Sequence, residues 1–292
     1  MTASTPNSKK IASNAPFTGT RTILITGCSS GIGYTTAKSL SKRGYRVFAS
    51  ARKAEDVERL SKEGLNTVQL DLADSDSIQT ALKQILEQTN GELYALFNNG
   101  AYGQPGAVED LSREVLREQF ETNLFGTVEL TNLVMPIMRK QGYGRIIQCS
   151  SVLGFVALKY RGAYNASKYA LEGINDTLRQ ELCGSGIHVS SIQPGPISTR
   201  FRANSLAMYQ KNINKETSFH KTTYQAMEDR LQKEGPAVPF TLPAEAVVKK
   251  VIHALESKRP KNHYAVTFPT HLFAVLKRIL PSRTLDRILS KI

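Results

Sequence analysis

Cysteine is scarce in this chain: Cys28, Cys149 and Cys183 are the only three among 292 residues, and no two form a CxxC pair. An odd, widely spaced set builds neither a disulfide framework nor a thiolate metal site, and it points to a reducing, cytoplasmic setting. Histidine is equally sparse, with five residues in no HExxH or comparable ligand spacing, so no metal is expected. No window approaches the ~18 uninterrupted apolar residues that a membrane-spanning helix needs. Residues 1–20, rich in Ser, Thr, Asn and Pro, lack the apolar core of a signal peptide and read as a disordered leader. Acidic residues are the other shortage: 25 Asp and Glu face 38 Lys and Arg, for a net charge of +13. That excess suits an anionic cofactor, a nucleic acid or a membrane surface alike. Zinc-finger spacings, RNP-like aromatic strands and basic low-complexity arms are all missing, so no nucleic-acid partner is expected.

What is present is an alternation. Short β-branched or apolar runs recur over 22–26, 45–49, 67–70, 93–97, 145–149, 188–192 and 264–268, with helical patterns between them. Such alternation predicts βαβ units: an α/β, doubly wound parallel sheet of about seven strands in one domain over 21–268. Between Pro196 and Thr241 lies a polar, Lys-rich stretch with scattered Phe201, Leu206, Met208, Tyr209, Phe219, Tyr224 and Met227. A segment this long after a strand's carboxyl end reads as a substrate cover over 196–241, or more plainly as a surface excursion of short helices. A helix starting near Pro243 follows, with Val247, Val248, Val251, Ile252 and Leu255 on its buried side.

The chain is organised around RIIQCSSVLGFVALKYRGAYNASK, residues 145–168. A strand leads into a turn carrying Ser150, Ser151 and Gly154, and the chain re-enters a helix at Tyr164 and Lys168. Four residues apart, these two share a helix face, and Leu171, Ile174, Leu178 and Leu182 continue the stripe inward. A free phenol has a pKa near ~10, and a neighbouring ammonium favours the phenolate. Lowering it by ~2 units corresponds to roughly 2.7 kcal/mol of differential interaction. A phenol tuned in this way serves as acid toward a carbonyl and as base toward an alcohol. Ser151, thirteen residues before Tyr164, is placed to hold the carbonyl oxygen. Tyr with Lys at i+4 is also a common helix face, so the reading depends on the rest of the chain.

The first run passes into Gly27-Cys28-Ser29-Ser30-Gly31-Ile32-Gly33 and then a helix over 34–42. Glycines permit the tight turn and let backbone N–H groups approach a pyrophosphate at the helix N-terminus. Cofactor type is read after the second strand, where NAD calls for a carboxylate and NADP for a cation. FASARK (48–53) offers no acid there and two cations, Arg52 and Lys53, which favours NADP(H) over NAD(H). The alternative is that Arg52 is a solvated loop charge.

Five signatures now stand in order: TGCSSGIG (26–33), NNGAYG (98–103), Asn123 in ETNLFG, Ser151 with YNASK (164–168), and PGPIST (194–199). Together they resemble the short-chain dehydrogenase/reductase family in its single-domain branch. The wording of FNNGAYGQPG and the basic tail is similar to NADP-dependent aldehyde reductases and retinol- and steroid-type dehydrogenases. The resemblance implies an NADP(H)-dependent oxidoreductase that interconverts an apolar aldehyde or ketone and its alcohol. Tyr164 would be the acid/base, Lys168 the holder of the nicotinamide ribose, Ser151 the donor to substrate oxygen, and Asn123 the holder of a relay water. Gly27, Ser29, Ser30, Gly31, Ile32 and Gly33 would carry the pyrophosphate, Arg52 the 2′-phosphate, Asp71 and Leu72 the adenine, and Asn98 and Ala101 the adenosine side. Pro194, Gly195, Ile197 and Thr199 would meet the carboxamide. A homo-oligomer, dimer or tetramer, is implied as well. Two departures stand out: the usual NNAG reads Asn98-Asn99-Gly100-Ala101, and Ser150 adjoins Ser151. A non-catalytic copy of the fold has no chemical reason to keep Asn123, Ser151, Tyr164 and Lys168 together.

Residues 269–292 form a tail. Leu272, Val275, Leu276, Ile279 and Leu280 follow helical spacing, Pro281 interrupts it, and Leu285, Ile288, Leu289 and Ile292 resume it. Lys277, Arg278, Arg283, Arg287 and Lys291 oppose one acid, Asp286. Such a basic amphipathic element lies on the inner face of an anionic membrane, packs over the substrate cleft, or meets a second subunit.

Overall fold

Seven short strands pair side by side in the computed structural model, which describes residues 21–292 except 234 and 237; the expected leader lies outside the described residues. The strands are β1 (Thr22–Ile25), β2 (Arg46–Ala51), β3 (Asn66–Gln69), β4 (Ala95–Asn98), β5 (Gly144–Cys149), β6 (Ile187–Gln193) and β7 (His263–Ala265). All pairings are parallel, in the order β3-β2-β1-β4-β5-β6-β7. This is the expected doubly wound α/β sheet. Its order reverses between β1 and β4, and in such sheets a crevice opens there at the carboxyl ends of the strands.

Residues of β1, β2, β4, β5 and β6 feed two cores, one on each face. Ile23, Ile25, Val47, Ala49, Phe97 and Ile147 pack on one face with α1 (Gly31–Lys42) and α9 (Glu245–Glu256). Leu24, Phe48, Leu96 and Ile146 pack on the other with α3 (Ser75–Gln88), α5 (Gly126–Gln141) and α6 (Gly162–Glu181). Each such side chain taken from water contributes about 1.5–3 kcal/mol, which is why the runs are apolar on both faces. The other helices are α2 (Ala54–Lys62), α4 (Arg113–Phe120), α7 (Phe201–Asn212), α8 (Lys221–Gln232), α10 (Phe268–Ile279) and α11 (Ser282–Leu289).

Several sequence expectations need correction. α1 begins at Gly31 rather than residue 34, because the glycine turn is already helical at its end. β7 stops at Ala265, since Thr267 turns the chain and Pro269 sits in the first turn of α10. Ile174 is 43% exposed, and the inward stripe of α6 runs through Lys168, Leu171, Glu172, Asn175 and Leu178 instead. Ile252 is half-buried. Residues 196–241 hold α7 and α8, whose Tyr209 and Tyr224 are fully buried against Ala107, Val115 and Ala163. Tyr224 donates to Asp110 and accepts from the Ala107 N–H at 2.9 Å, which pins α8 to the body.

The tail folds back on the body. Leu285 and Leu289 join Leu153 and Val156 in a small core, with Phe155, Tyr164, Phe273, Leu276 and Leu280 at its edge. Lys277 donates to the Phe155 carbonyl, and Lys159 to that of Ser290 at 2.6 Å. The inner face of the tail packs against the body of the same chain. Among the described residues no helix is long and apolar enough to cross a membrane.

Candidate active site

The turn after β1 is held open by its glycines. Gly27 and Gly31 have φ of +70° and +59°, a region that side chains rarely adopt. A Cβ at Gly27 would lie 2.7 Å from the Gly100 Cα, and one at Gly33 would lie 2.3 Å from the Gly27 carbonyl oxygen. The turn is latched from β4. Asn99 Nδ2 donates to the carbonyls of Thr26 (3.0 Å) and Gly27 (3.1 Å), while Thr26 Oγ1 accepts from the N–H groups of Asn99 (2.9 Å) and Gly100 (2.8 Å). A Cβ at Gly100 would approach Leu72 Cδ1 to 2.9 Å, so glycine at this transposed position has a packing reason. The α1 N-cap, Ser30, makes no side-chain cap bond, which leaves the first-turn N–H groups open to an anion. These residues fit the pyrophosphate of a nicotinamide dinucleotide.

Around this turn the other cofactor candidates are unequally placed. Asn98 turns into the core and donates to Thr131 Oγ1 at 2.9 Å, so of the two asparagines it is Asn99 whose side chain serves the turn. Asp71 uses one carboxylate oxygen to accept from the Ala73 N–H (3.0 Å), Leu72 is buried, and Ala101 is half-buried. Arg52 is exposed beyond β2, while neighbouring Lys53 pairs with Glu55 at 3.0 Å. The segment after β6 closes over the turn: Thr199 would meet a Cβ on Gly31 at 3.0 Å, and Gly195 fits only because Thr267 Oγ1 would lie 2.0 Å from a Cβ there. Pro194 accepts from the Val152 N–H (2.8 Å), and Pro196, Ile197 and Ser198 pair with Leu242. Ser29, Ser30, Gly31, Tyr34, Asp56, Arg59, Ser198, Thr199 and Arg200 line the resulting cleft. Arg59 was not legible as a site residue; it donates to the Ser29 carbonyl at 2.7 Å and lies over the Tyr34 ring.

The second half of the site follows β5. Ser151 caps the short turn Val152–Gly154, accepting from the Leu153 N–H at 3.1 Å, and its hydroxyl faces the Tyr164 phenol. Ser150 points elsewhere, its Oγ lying 2.6 Å from where a Gly154 Cβ would stand. Of the adjacent serines, Ser151 is the one whose hydroxyl meets the Tyr164 phenol. Lys168 is buried, donates to the Cys149 carbonyl at 2.8 Å, and lies 5.7 Å from the centre of the Tyr164 ring.

The acidity expected of Tyr164 is absent from the fold itself. Burial pushes the phenol well above its usual range, the buried Cys149 thiol adds to the rise, and the Ser151 hydroxyl opposes it. Burial also lowers Lys168, against the pull of Cys149 and Glu172. The ammonium is spent on a backbone carbonyl, and desolvation outweighs a cation that does not touch the phenolic oxygen.

Asn123 is held by its neighbours on both sides. It sits in a π-helical turn, Glu121–Phe125, between α4 and α5. Its Nδ2 donates to the Tyr102 carbonyl (2.9 Å) and to Ser167 Oγ (3.1 Å), while Oδ1 accepts from the Tyr102 N–H (3.1 Å). Ser167 in turn donates to the Tyr164 carbonyl at 2.9 Å. The side chain braces α6 against the loop after β4. A π-turn adds a residue that periodicity does not register.

An apolar wall faces Tyr164. The Phe201 ring stands 5.4 Å away, edge to face, and Phe273, Leu276 and Leu280 of the tail flank the phenol's cluster. Phe201 was seen in the sequence only as one of several scattered apolar residues.

The short chain dehydrogenase family model matches residues 21–210, through the glycine turn, Ser151, Tyr164 and Lys168. The chain belongs to this family. It is an NAD(P)-dependent oxidoreductase acting on carbonyl and alcohol groups. Among curated relatives, an uncharacterised oxidoreductase, YbbO, of Escherichia coli K12 is 43% identical over 92% of this chain and 94% of its own. An NADPH-dependent 3-dehydrocapnine reductase of Ornithobacterium rhinotracheale is 32% identical over 93% of this chain and 96% of its own. Among solved structures, a short-chain dehydrogenase/reductase of Burkholderia phymatum in complex with NAD superposes with a TM-score of 0.75 at 23% identity, covering 92% of this chain and 95% of that one. The likeness to this last structure is one of fold.

Proposed function

We propose that this short-chain dehydrogenase reduces apolar aldehydes or ketones, and oxidises the corresponding alcohols, with NADP(H) in preference to NAD(H). The observation that carries this reading is the convergence of Ser151, Tyr164 and Lys168 at one end of the sheet, beside the glycine turn and against an apolar wall. When bound, the nicotinamide supplies or accepts the hydride. Ser151 donates a hydrogen bond to the substrate oxygen, Tyr164 gives or takes the proton there, Lys168 holds the ribose, and Asn123 keeps α6 in place.

Arg52, exposed past β2 with no carboxylate to compete at that position, supports recognition of a 2′-phosphate. Gly27, Ser29, Ser30, Gly31, Ile32 and Gly33 would cradle the pyrophosphate, Asp71, Leu72 and Ala101 would border the adenosine, and Pro194, Gly195, Ile197 and Thr199 the carboxamide. Residues 21–268 are assigned to the dehydrogenase domain, 196–241 to the substrate cover and 269–292 to the tail. A cytoplasmic homo-oligomer with peripheral membrane contact through that tail completes the reading. The test is a panel of aldehydes, retinoids and ketosteroids assayed by nucleotide absorbance, with NADPH and then NADH. Tyr164→Phe should abolish turnover and spare NADPH binding; substantial activity in that variant, or faster reduction with NADH, would contradict the respective half of the proposal.

A further inference from the structure

The tail's inner face is used up in packing, but its outer face is not. Along α10, Phe268, Leu272, Val275 and Ile279 are 57%, 39%, 55% and 67% exposed. Their spacing of four, three and four residues places all four on one narrow stripe of the helix. Phe240 lengthens the stripe, its ring 4.9 Å from that of Phe268 and the residue 58% exposed. Five large apolar side chains in a row is more than the scattered exposure of ordinary surfaces. Arg278, Arg283 and Arg287 are exposed on the same two helices and Lys291 just past the second, and among the described residues none of the four is in an ion pair. Asp286 is the sole acid after Phe268.

We infer that α10 and α11 form a docking face for an anionic lipid bilayer, with the Phe240–Ile279 stripe immersed among the headgroups and the four cations against lipid phosphates. Apolar burial and attraction to anionic lipid act together on such a helix. The charge also argues against a second copy of this chain as occupant. An isologous contact would bring the same unpaired cations face to face, which is repulsive. The inner side of the same helices borders Tyr164 through Phe273, Leu276 and Leu280, so docking sets the catalytic cleft close to the lipid phase. This extends the proposed preference for apolar carbonyls to carbonyls that partition into membranes.

The test is sedimentation of the full-length protein with vesicles of phosphatidylcholine alone or with about one-third phosphatidylglycerol. The wild type should bind the anionic vesicles, release them as salt is raised, and bind neutral ones weakly. Val275→Glu/Ile279→Glu should lower partitioning at least tenfold, while reduction of a short water-soluble aldehyde and the melting temperature stay unchanged. Those two residues face outward and touch no part of the proposed site. Failure of the wild type to bind, or equal binding by the double variant, would overturn the inference and leave the catalytic reading intact. A double variant that instead breaks an oligomer apart would assign the stripe to a second copy and also overturn it.

Discussion

Asn99 offers a test of how the nucleotide turn is built. Its side-chain amide donates to two carbonyls, those of Thr26 and Gly27, and the residue is half-buried. Changing Asn99→Asp keeps the size but replaces the donor with a carboxylate aimed at two carbonyl oxygens. Each lost bond is worth about 0.5–1.5 kcal/mol net, so the turn is destabilised by roughly 1–3 kcal/mol before any repulsion. Water reaches a half-buried site and offsets part of the loss, and the lower end of the range is therefore the safer expectation. If the cost falls wholly on the state that receives the cofactor, NADPH binds about 5- to 150-fold more weakly. Titration by nucleotide fluorescence, paired with thermal melting, separates the outcomes: weaker binding with a small drop in melting temperature is expected. Unchanged NADPH affinity in Asn99→Asp would refute the claim that this amide holds the turn.

Two further perturbations act elsewhere in the fold. Gly126→Ala would place a Cβ 1.7 Å from the Leu72 carbonyl oxygen, and a main-chain carbonyl cannot swing away from a Cβ fixed to its own backbone. The π-turn carrying Asn123 must shift, at a cost of about 1–3 kcal/mol or more, and melting with turnover should show joint losses. His263, packed against Glu172 and Asp176 at 3.4 Å each, has its pKa raised chiefly by the Glu172 carboxylate. A raised folded-state pKa contributes stability that is fully present below the unfolded value and is lost as pH rises through the folded one. His263→Gln should therefore melt earlier than wild type in mild acid and alike at alkaline pH. Equal differences at both pH values would show that the pair acts by packing alone.

The sheet was readable because burial on both faces forces near-continuous apolar runs, and because βα turns punctuate them with Gly, Ser and Asp. The clustering of Tyr164, Lys168 and Ser151 was readable for a related reason. Helical spacing joins the first two, and a strand end with a short turn delivers the third. Asn99 was harder to see: it reads as half of an Asn-Asn pair, and only the fold shows which amide reaches the glycine turn and which enters the core. Arg59, thirty residues from Ser29, is joined to it only by the crossing of α2 over the turn.

The tail divides in the same way. Its helical period and basic excess were plain in the chain, yet amphipathicity does not say what covers the apolar side, and the coordinates split that side in two. Phe273, Leu276, Leu285 and Leu289 turn toward the body, while Leu272, Val275 and Ile279 turn away.

Local pattern determined the fold class, the order of the elements and the placing of Tyr164 and Lys168 on one helix face, because those follow from periodicity and turn chemistry within a few residues. Tertiary structure alone decided the balance of charge at Tyr164, the brace made by Asn123 and the wall beside the phenol. Desolvation and long-range hydrogen bonds depend on which distant atoms surround a group, and residue spacing along the chain carries no record of them.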